Sequence, residues 1–184
     1  TDVTKDKMPY AAKIIAETVD LSLLKQATTM RDKEFSGTFS STAIVHGELK
    51  SLQDVKGQGT FLVKDGYLWA FNPLAKLRDF LFIPRRQILV FKEAQGDFTL
   101  HDRRLFTDNL VLRSDIIALG CEGSIGFDKT LDFEITPVPV TAEETKEPKL
   151  QDIFSENFAK IAGIAIVTLQ GTIDEPEIGQ KVLT

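Results

Sequence analysis

A single cysteine, Cys121, serves the whole chain. No internal disulfide can form, and there is no Cys-x-x-Cys pair to hold a metal or exchange thiols. Histidine is nearly as scarce: His46 and His101 fall on the polar phase of their segments, without a Cys, Asp or Glu at ligand spacing. Ordinary surface roles are expected for both. Long hydrophobic runs are also missing. The longest, residues 161–169, contains Gly163 and Thr168 and is far short of the roughly 20 apolar residues that a membrane-spanning helix needs. Positive charge is in deficit, with 22 Lys and Arg against 27 Asp and Glu, a net charge of -5. A nucleic-acid surface needs clustered cations to displace counterions from phosphate, so no nucleic-acid partner is expected. The chain lacks an initiator Met and a signal-peptide pattern, so it is expected to be part of a longer protein. Any membrane contact would then be made by segments outside it.

What the chain does have is an ordinary globular balance, 42% hydrophobic and 27% charged over 184 residues, with thirteen phenylalanines. One domain is the expectation. Its organising stretch is residues 55–82. Asp65-Gly66 lies between the β-rich runs at Phe61-Leu62-Val63 and Tyr67-Leu68-Trp69, and this dipeptide is a strong signal for a two-residue type I′ hairpin. Such a turn would pair Lys64 with Tyr67 and Val63 with Leu68, placing apolar residues on both faces and predicting cover on both sides. Asn72-Pro73 then starts a short helix with the stripe Leu74, Leu77 and Leu81.

Taken in order, Met8, Ala11, Ala12, Ile15 and Val19 recur at helical spacing after Pro9 and predict an amphipathic helix over 8–19. Asp20 can cap a second short helical piece at Leu21 and Leu24. From Phe35 to His46 the pattern alternates and predicts a strand. Strands are also expected at 87–92, through Phe98 and Leu100, at 105–114, 116–127, 131–136 and 164–173, with tight turns at 102–104 and 128–129. Residues 137–149, rich in proline and glutamate, predict an exposed loop. Leu150, Ile153, Phe154, Phe158 and Ile161 predict an amphipathic helix. The fold class is therefore α+β: a curved, mostly antiparallel β-meander, an open groove or partial barrel, with amphipathic helices near both ends and one short helix after the central hairpin. The single domain over 1–184 divides into a helical lead-in (1–34), a meander (35–136), a loop (137–149) and a helix with a closing strand (150–184).

No catalytic constellation emerges. Gly57-Gln58-Gly59 precedes a strand, whereas a phosphate loop follows one and opens a helix, so these glycines signal close backbone approach. Asp132 and Glu134 have the pattern of a solvated strand face. Arg85-Arg86 and Arg103-Arg104 read as solvated turn arginines. Cys121, among Leu119, Gly120, Glu122 and Gly123, reads as a small packed thiol rather than a nucleophile. Metal, cofactor and catalytic residues are expected to be absent. The unusual content is hydrophobic, and it reads either as core or as an apolar groove for a lipid. By strand phase the candidate lining is Phe61, Val63, Leu68, Phe98, Leu100, Leu131, Phe133 and Ile135.

In order and spacing, several of these residues resemble the C-terminal region of AsmA-family proteins. They are a helical lead-in, Phe35-Ser36-Gly37-Thr38, Gly57-Gln58-Gly59, Val63-Lys64-Asp65-Gly66-Tyr67-Leu68 with a Leu-rich short helix, Leu119-Gly120-Cys121-Glu122-Gly123, the stretch from Asp128 to Phe133, and Leu169-Gln170-Gly171-Thr172-Ile173-Asp174-Glu175-Pro176. The resemblance runs from about Asp20 to Glu177. It implies a TamB-like β-groove protein of the bacterial envelope, anchored in the inner membrane by a segment not in this chain and reaching into the periplasm. Its apolar face would carry phospholipid acyl chains between inner and outer membranes. It also implies no enzyme activity. The alternative expectation is a structural or assembly module of the envelope that docks to another protein through its apolar face or a sheet edge.

Overall fold

The computed structural model describes residues 8–23, 36–48, 51–67, 73, 76, 77, 80, 91–115, 117–140 and 166–181. Among these residues lie nine strands, β1 (Pro9–Asp20), β2 (Ser36–Glu48), β3 (Ser51–Tyr67), β4 (Phe91–His101), β5 (Arg104–Arg113), β6 (Ile117–Gly126), β7 (Leu131–Pro139), β8 (Ile166–Gly171) and β9 (Pro176–Lys181). All pair antiparallel in one sheet whose spatial order is the sequence order, with β1 and β9 at the edges. The meander expected from the sequence is present. The sheet stays open rather than closing into a barrel, and the described protein is nearly all-β, which corrects the α+β class.

Three expectations change with it. The helix predicted over 8–19 is strand β1, paired with β2 from Pro9↔Glu48 to Asp20↔Thr38. Ala11, Ile15 and Val19 do recur at helical spacing. However, Tyr10, Ala12, Ile14 and Ala16 also alternate, and pairing along a whole neighbouring strand outweighs a weak helical preference. The described residues 21–23 make a helical turn, and Asp20 caps it as expected, its Oδ1 accepting from the Ser22 N–H at 2.8 Å.

There is also no hairpin at Asp65-Gly66. β3 runs straight through, with Gly66 opposite Phe91 and Tyr67 opposite Ser36. The positive φ that Asp-Gly announces is real, since Asp65 has φ 51°. It makes a β-bulge instead of a turn: between Thr38↔Lys64 and Ser36↔Tyr67, two residues of β3 face the single Gly37 of β2. Gly37 has φ 124°, and a Cβ there would stand 2.8 Å from the Lys64 carbonyl oxygen, so the bulge and the glycine require each other. The two-residue turn with positive φ at both positions occurs at Asp102-Arg103, φ 50° and 59°, between the paired His101 and Arg104.

The third change is at the carboxyl end, where β9, absent from the expected strands, follows β8. Residues 137–139, expected in a loop, extend β7. The helix expected over 150–161 lies outside the described residues, as do Leu68, Trp69 and most of the 137–149 loop. The short helix after residue 72 is present at its described positions, since Pro73, Lys76, Leu77 and Phe80 are helical.

Bulges recur in β1 between Ala16 and Val19, and in β5 between Thr107 and Leu110. The β5 bulge is braced by Asn109, whose side chain accepts from the Asp97 N–H at 2.8 Å and donates to its carboxylate at 2.9 Å. Each bulge bends its strand and steepens the local twist.

The core is one cluster, most of it on one face. Leu77, Phe91, Ala94, Leu112, Leu119, Cys121, Leu131, Ile135, Val167 and Leu169 are all buried within it. At the end of the sheet carrying Val111, Ala118, Val138 and Ile166 the opposite face is buried too. Thr107 is buried with no hydrogen-bond partner for its hydroxyl among the described residues. Two stability changes follow. Leu77→Ala should lower the unfolding free energy by about 2–5 kcal/mol through the cavity it leaves. Thr107→Val should raise it by about 1 kcal/mol by removing an orphaned hydroxyl. Both are read from urea denaturation midpoints at unchanged slope.

Candidate functional site

Strand register decides which expected lining residues come together. Gly59 pairs with Phe98, Gly57 with Leu100, Phe61 with Gly96 and Val63 with Ala94, so Phe61, Val63, Phe98 and Leu100 share one face. The ladders β4–β5, β5–β6 and β6–β7 carry the same face on to Leu131, Phe133 and Ile135 through Leu105, Leu110, Leu112, Leu119, Cys121 and Ile125. Every described member of the expected lining therefore lies on one continuous apolar face; Leu68 is outside the described residues. Period-2 reasoning alone misses Leu110 and Leu112. The β5 bulge shifts the phase, so Leu105 and Thr107 share a face with Leu110 and Leu112 rather than with residues 109 and 111. In β1 and β2 the same face carries Ile14, Phe39, Ala43 and Val45.

Glycines set the relief of this face. A Cβ on Gly59 would meet the Phe98 ring at 2.7 Å and the Thr42 carbonyl, and one on Gly123 would meet the Phe133 ring at 2.8 Å. Both rings lie over the glycine opposite them, which is the close approach that Gly57-Gln58-Gly59 announces in the sequence.

Burial divides the face in two. Leu131 and Ile135 are buried, and Val63 and Phe133 pack half-buried against the core. This part is closed by the helical positions at 73–80: Leu77 enters the core, Pro73 and Pro176 are fully buried, and Lys76 Nζ donates to the Pro176 carbonyl at 2.7 Å. The segment thus lies on the apolar face and is tied to β9. Toward β1 the burial falls. Phe39, Phe61, Phe98 and Leu100 are half-buried and Ile14 is exposed.

Between β1 and β5 the other face mixes polar side chains with Ile15, Ile44, Leu62 and Phe106. Two open hollows of about 800 and 810 Å³ adjoin there, both bordered by Thr42, Thr60, Asp97 and Asp108, with Glu122 and Asp132 around the second. Carboxylates stand around these hollows beside apolar side chains, Ile15 and Leu62 in the first and Ile44 and Phe106 in the second. His101 is on this face too. Its ring stacks on Phe106 with centroids 4.3 Å apart, and its Nδ1 lies 2.9 Å from Asp102 Oδ2. His46 is exposed. Arg104 donates to the hydroxyls of Ser124 at 2.9 Å and Thr130 at 2.7 Å, so it braces a turn, while Arg103 stays exposed. In that turn, hydrogen bonds from Thr130 hold the Asp128 carboxyl below its ordinary range. The folded form is therefore favoured by this group above its unfolded pKa, and that support is lost as pH falls through the lowered value. Among the described residues, no three His, Cys, Asp or Glu side chains converge as a metal set would.

Cys121 lies fully inside the core, where burial alone pushes its thiol up to about 12. Thiolate is the reactive form, so in the native protein at pH 8 the thiol should not react with an aromatic disulfide reagent over hours. It should react within minutes in denaturing urea, as followed by absorbance. No protein-family model, no curated protein and no solved structure matches this chain.

Proposed function

We propose that this chain is a non-enzymatic lipid-binding and lipid-transfer segment of a bacterial cell-envelope protein. In this reading its apolar sheet face shields phospholipid acyl chains in the periplasm, between inner and outer membranes, and a segment outside this chain holds it to the inner membrane. The observation that supports it best is the continuity of that face. From the packed core it runs unbroken through Leu100, Phe98 and Phe61 to Ile14, and it loses cover toward β1 while keeping its apolar character. The resemblance to AsmA-family C-terminal regions points the same way. Each methylene moved from water onto such a surface gains up to roughly 0.8 kcal/mol, so partial enclosure of one acyl chain suffices for binding.

A second reading, an assembly module of the envelope, is favoured by one different observation. Edge strand β1 exposes Ile14 on one face and Ile15 on the other, at 52% and 54%. A sheet edge of this kind accepts a further strand.

Native mass spectrometry followed by lipid extraction tests the first reading. Near-stoichiometric phospholipid is expected with the purified protein. It should fall at least about tenfold in Phe98→Asp and in Ile14→Asp, which place a charge on the apolar face, and stay unchanged in Thr99→Asp on the polar face. Ile14 is exposed, so its variant keeps the test independent of folding. A lipid-free protein that takes up no added fluorescent phospholipid overturns the reading, as do equal losses on both faces.

A further inference from the structure

The two edges of the sheet are built differently. β9 is six residues long, opens with Pro176, which has no amide donor, and ends with Lys181 held to Glu134 at 3.0 Å. Short length, proline and lysine are the usual guards against strand addition. β1 also opens with a proline and carries Lys13 and a bulge, but it is twice as long, twelve residues, and its pairing with β2 is regular from Pro9 to Ala16. On its outer side no described strand pairs with it.

We infer that β1 pairs with itself: two copies of this chain join edge to edge, antiparallel, about a two-fold axis at Ile15. This deepens the assembly reading by naming the partner, and it does not depend on lipid binding.

Charge chooses the register. A two-fold axis normal to the sheet keeps each face on its own side, so each residue must meet a residue of the same face. Centring on Lys13 stacks two lysines. Centring on Ile14 sets Lys13 against Ile15 and leaves Glu17 facing Ala11. Centring on Ile15 sets Lys13 of each copy opposite Glu17 of the other, twice, and packs Ile14 against Ala16. Opposite charges directly across a strand pair stabilise it and like charges oppose it. Both Lys13 and Glu17 are exposed, and neither has a partner among the described residues. The pairing also covers Ile14 and Ile15 together and makes the apolar faces of the two copies continuous.

Sedimentation of the whole chain over a concentration series, at low salt and up to the millimolar range, should show a reversible dimer. Lys13→Glu and Glu17→Lys should each weaken it at least about tenfold, by turning two attractive cross-strand contacts into repulsive ones. The combined swap should restore it. Because Cys121 is buried, Ile15→Cys supplies a lone exposed thiol facing its own copy across the axis. Mild oxidation should link that variant into a covalent dimer well before Ile14→Cys. A monomer at every concentration overturns the inference. If its β1 amides exchange quickly, the edge is free and some other strand remains the candidate for assembly; if they exchange slowly, this chain covers its own edge. Faster linking through Ile14→Cys, or a swap that fails to restore, also overturns it.

Discussion

Antiparallel register is the constraint on which the rest of this molecule depends. With side chains alternating at period two, a slip of a single residue in any ladder would turn Phe61, Phe98, Leu119 or Ile135 from the apolar face to the polar one. The face is kept in phase across the sheet by devices that are themselves local. The Asp65–Gly37 bulge lets β3 pass its neighbour without reversing. Asn109 clamps the β5 bulge so that the strand re-enters with Leu110 where the pattern needs it. Glycines opposite Phe98 and Phe133 give those rings somewhere to lie. Hydrophobic burial supplies the driving force, and these local features decide which surface receives it.

The two faces consequently do different work. One gathers most of the apolar side chains and is filled toward β8 by the segment that carries Leu77. The other presents Asp97, Asp108, Glu122 and Asp132 to open hollows. The buried thiol of Cys121 belongs to packing rather than chemistry. Neither histidine is arranged with a nucleophile in the described structure. His101 spends its ring on Phe106, with Asp102 beside it.

Much of this was legible in the sequence because alternation is a strong signal once a strand exceeds a few residues. β2 and the run from β4 to β8 followed from Phe39, Phe98, Leu105, Leu131 and their polar neighbours. So did the one-face grouping of Phe61, Val63, Phe98, Leu100, Leu131, Phe133 and Ile135. What failed did so where one signal serves two structures. Asp65-Gly66 asks for positive φ, and a bulge satisfies that as well as a turn. The tight turn expected at 102–104 is where the two-residue turn forms, at Asp102-Arg103 and without glycine. Ala11, Ile15 and Val19 suit a helix in isolation, and only the presence of β2 alongside decides for a strand. β9 carries Ile178 as its single large aliphatic residue between Glu177 and Gly179, too little pattern to read without its partner.

The tie between Lys76 and Pro176 also bears on the order in which the chain assembles. Strands that pair only with their immediate successors can form one after another, each new hairpin adding to the ladder already present. The segment carrying Leu77 appears early in the chain, yet its hydrogen-bond partner belongs to the final strand, a hundred residues later. Until β9 has joined, that segment rests on an unfinished face and its lysine has no carbonyl to meet. The closing hairpin therefore does more than finish an edge: it locks in place a piece of the molecule laid down much earlier, and completion of the last strand is coupled to sealing of the core.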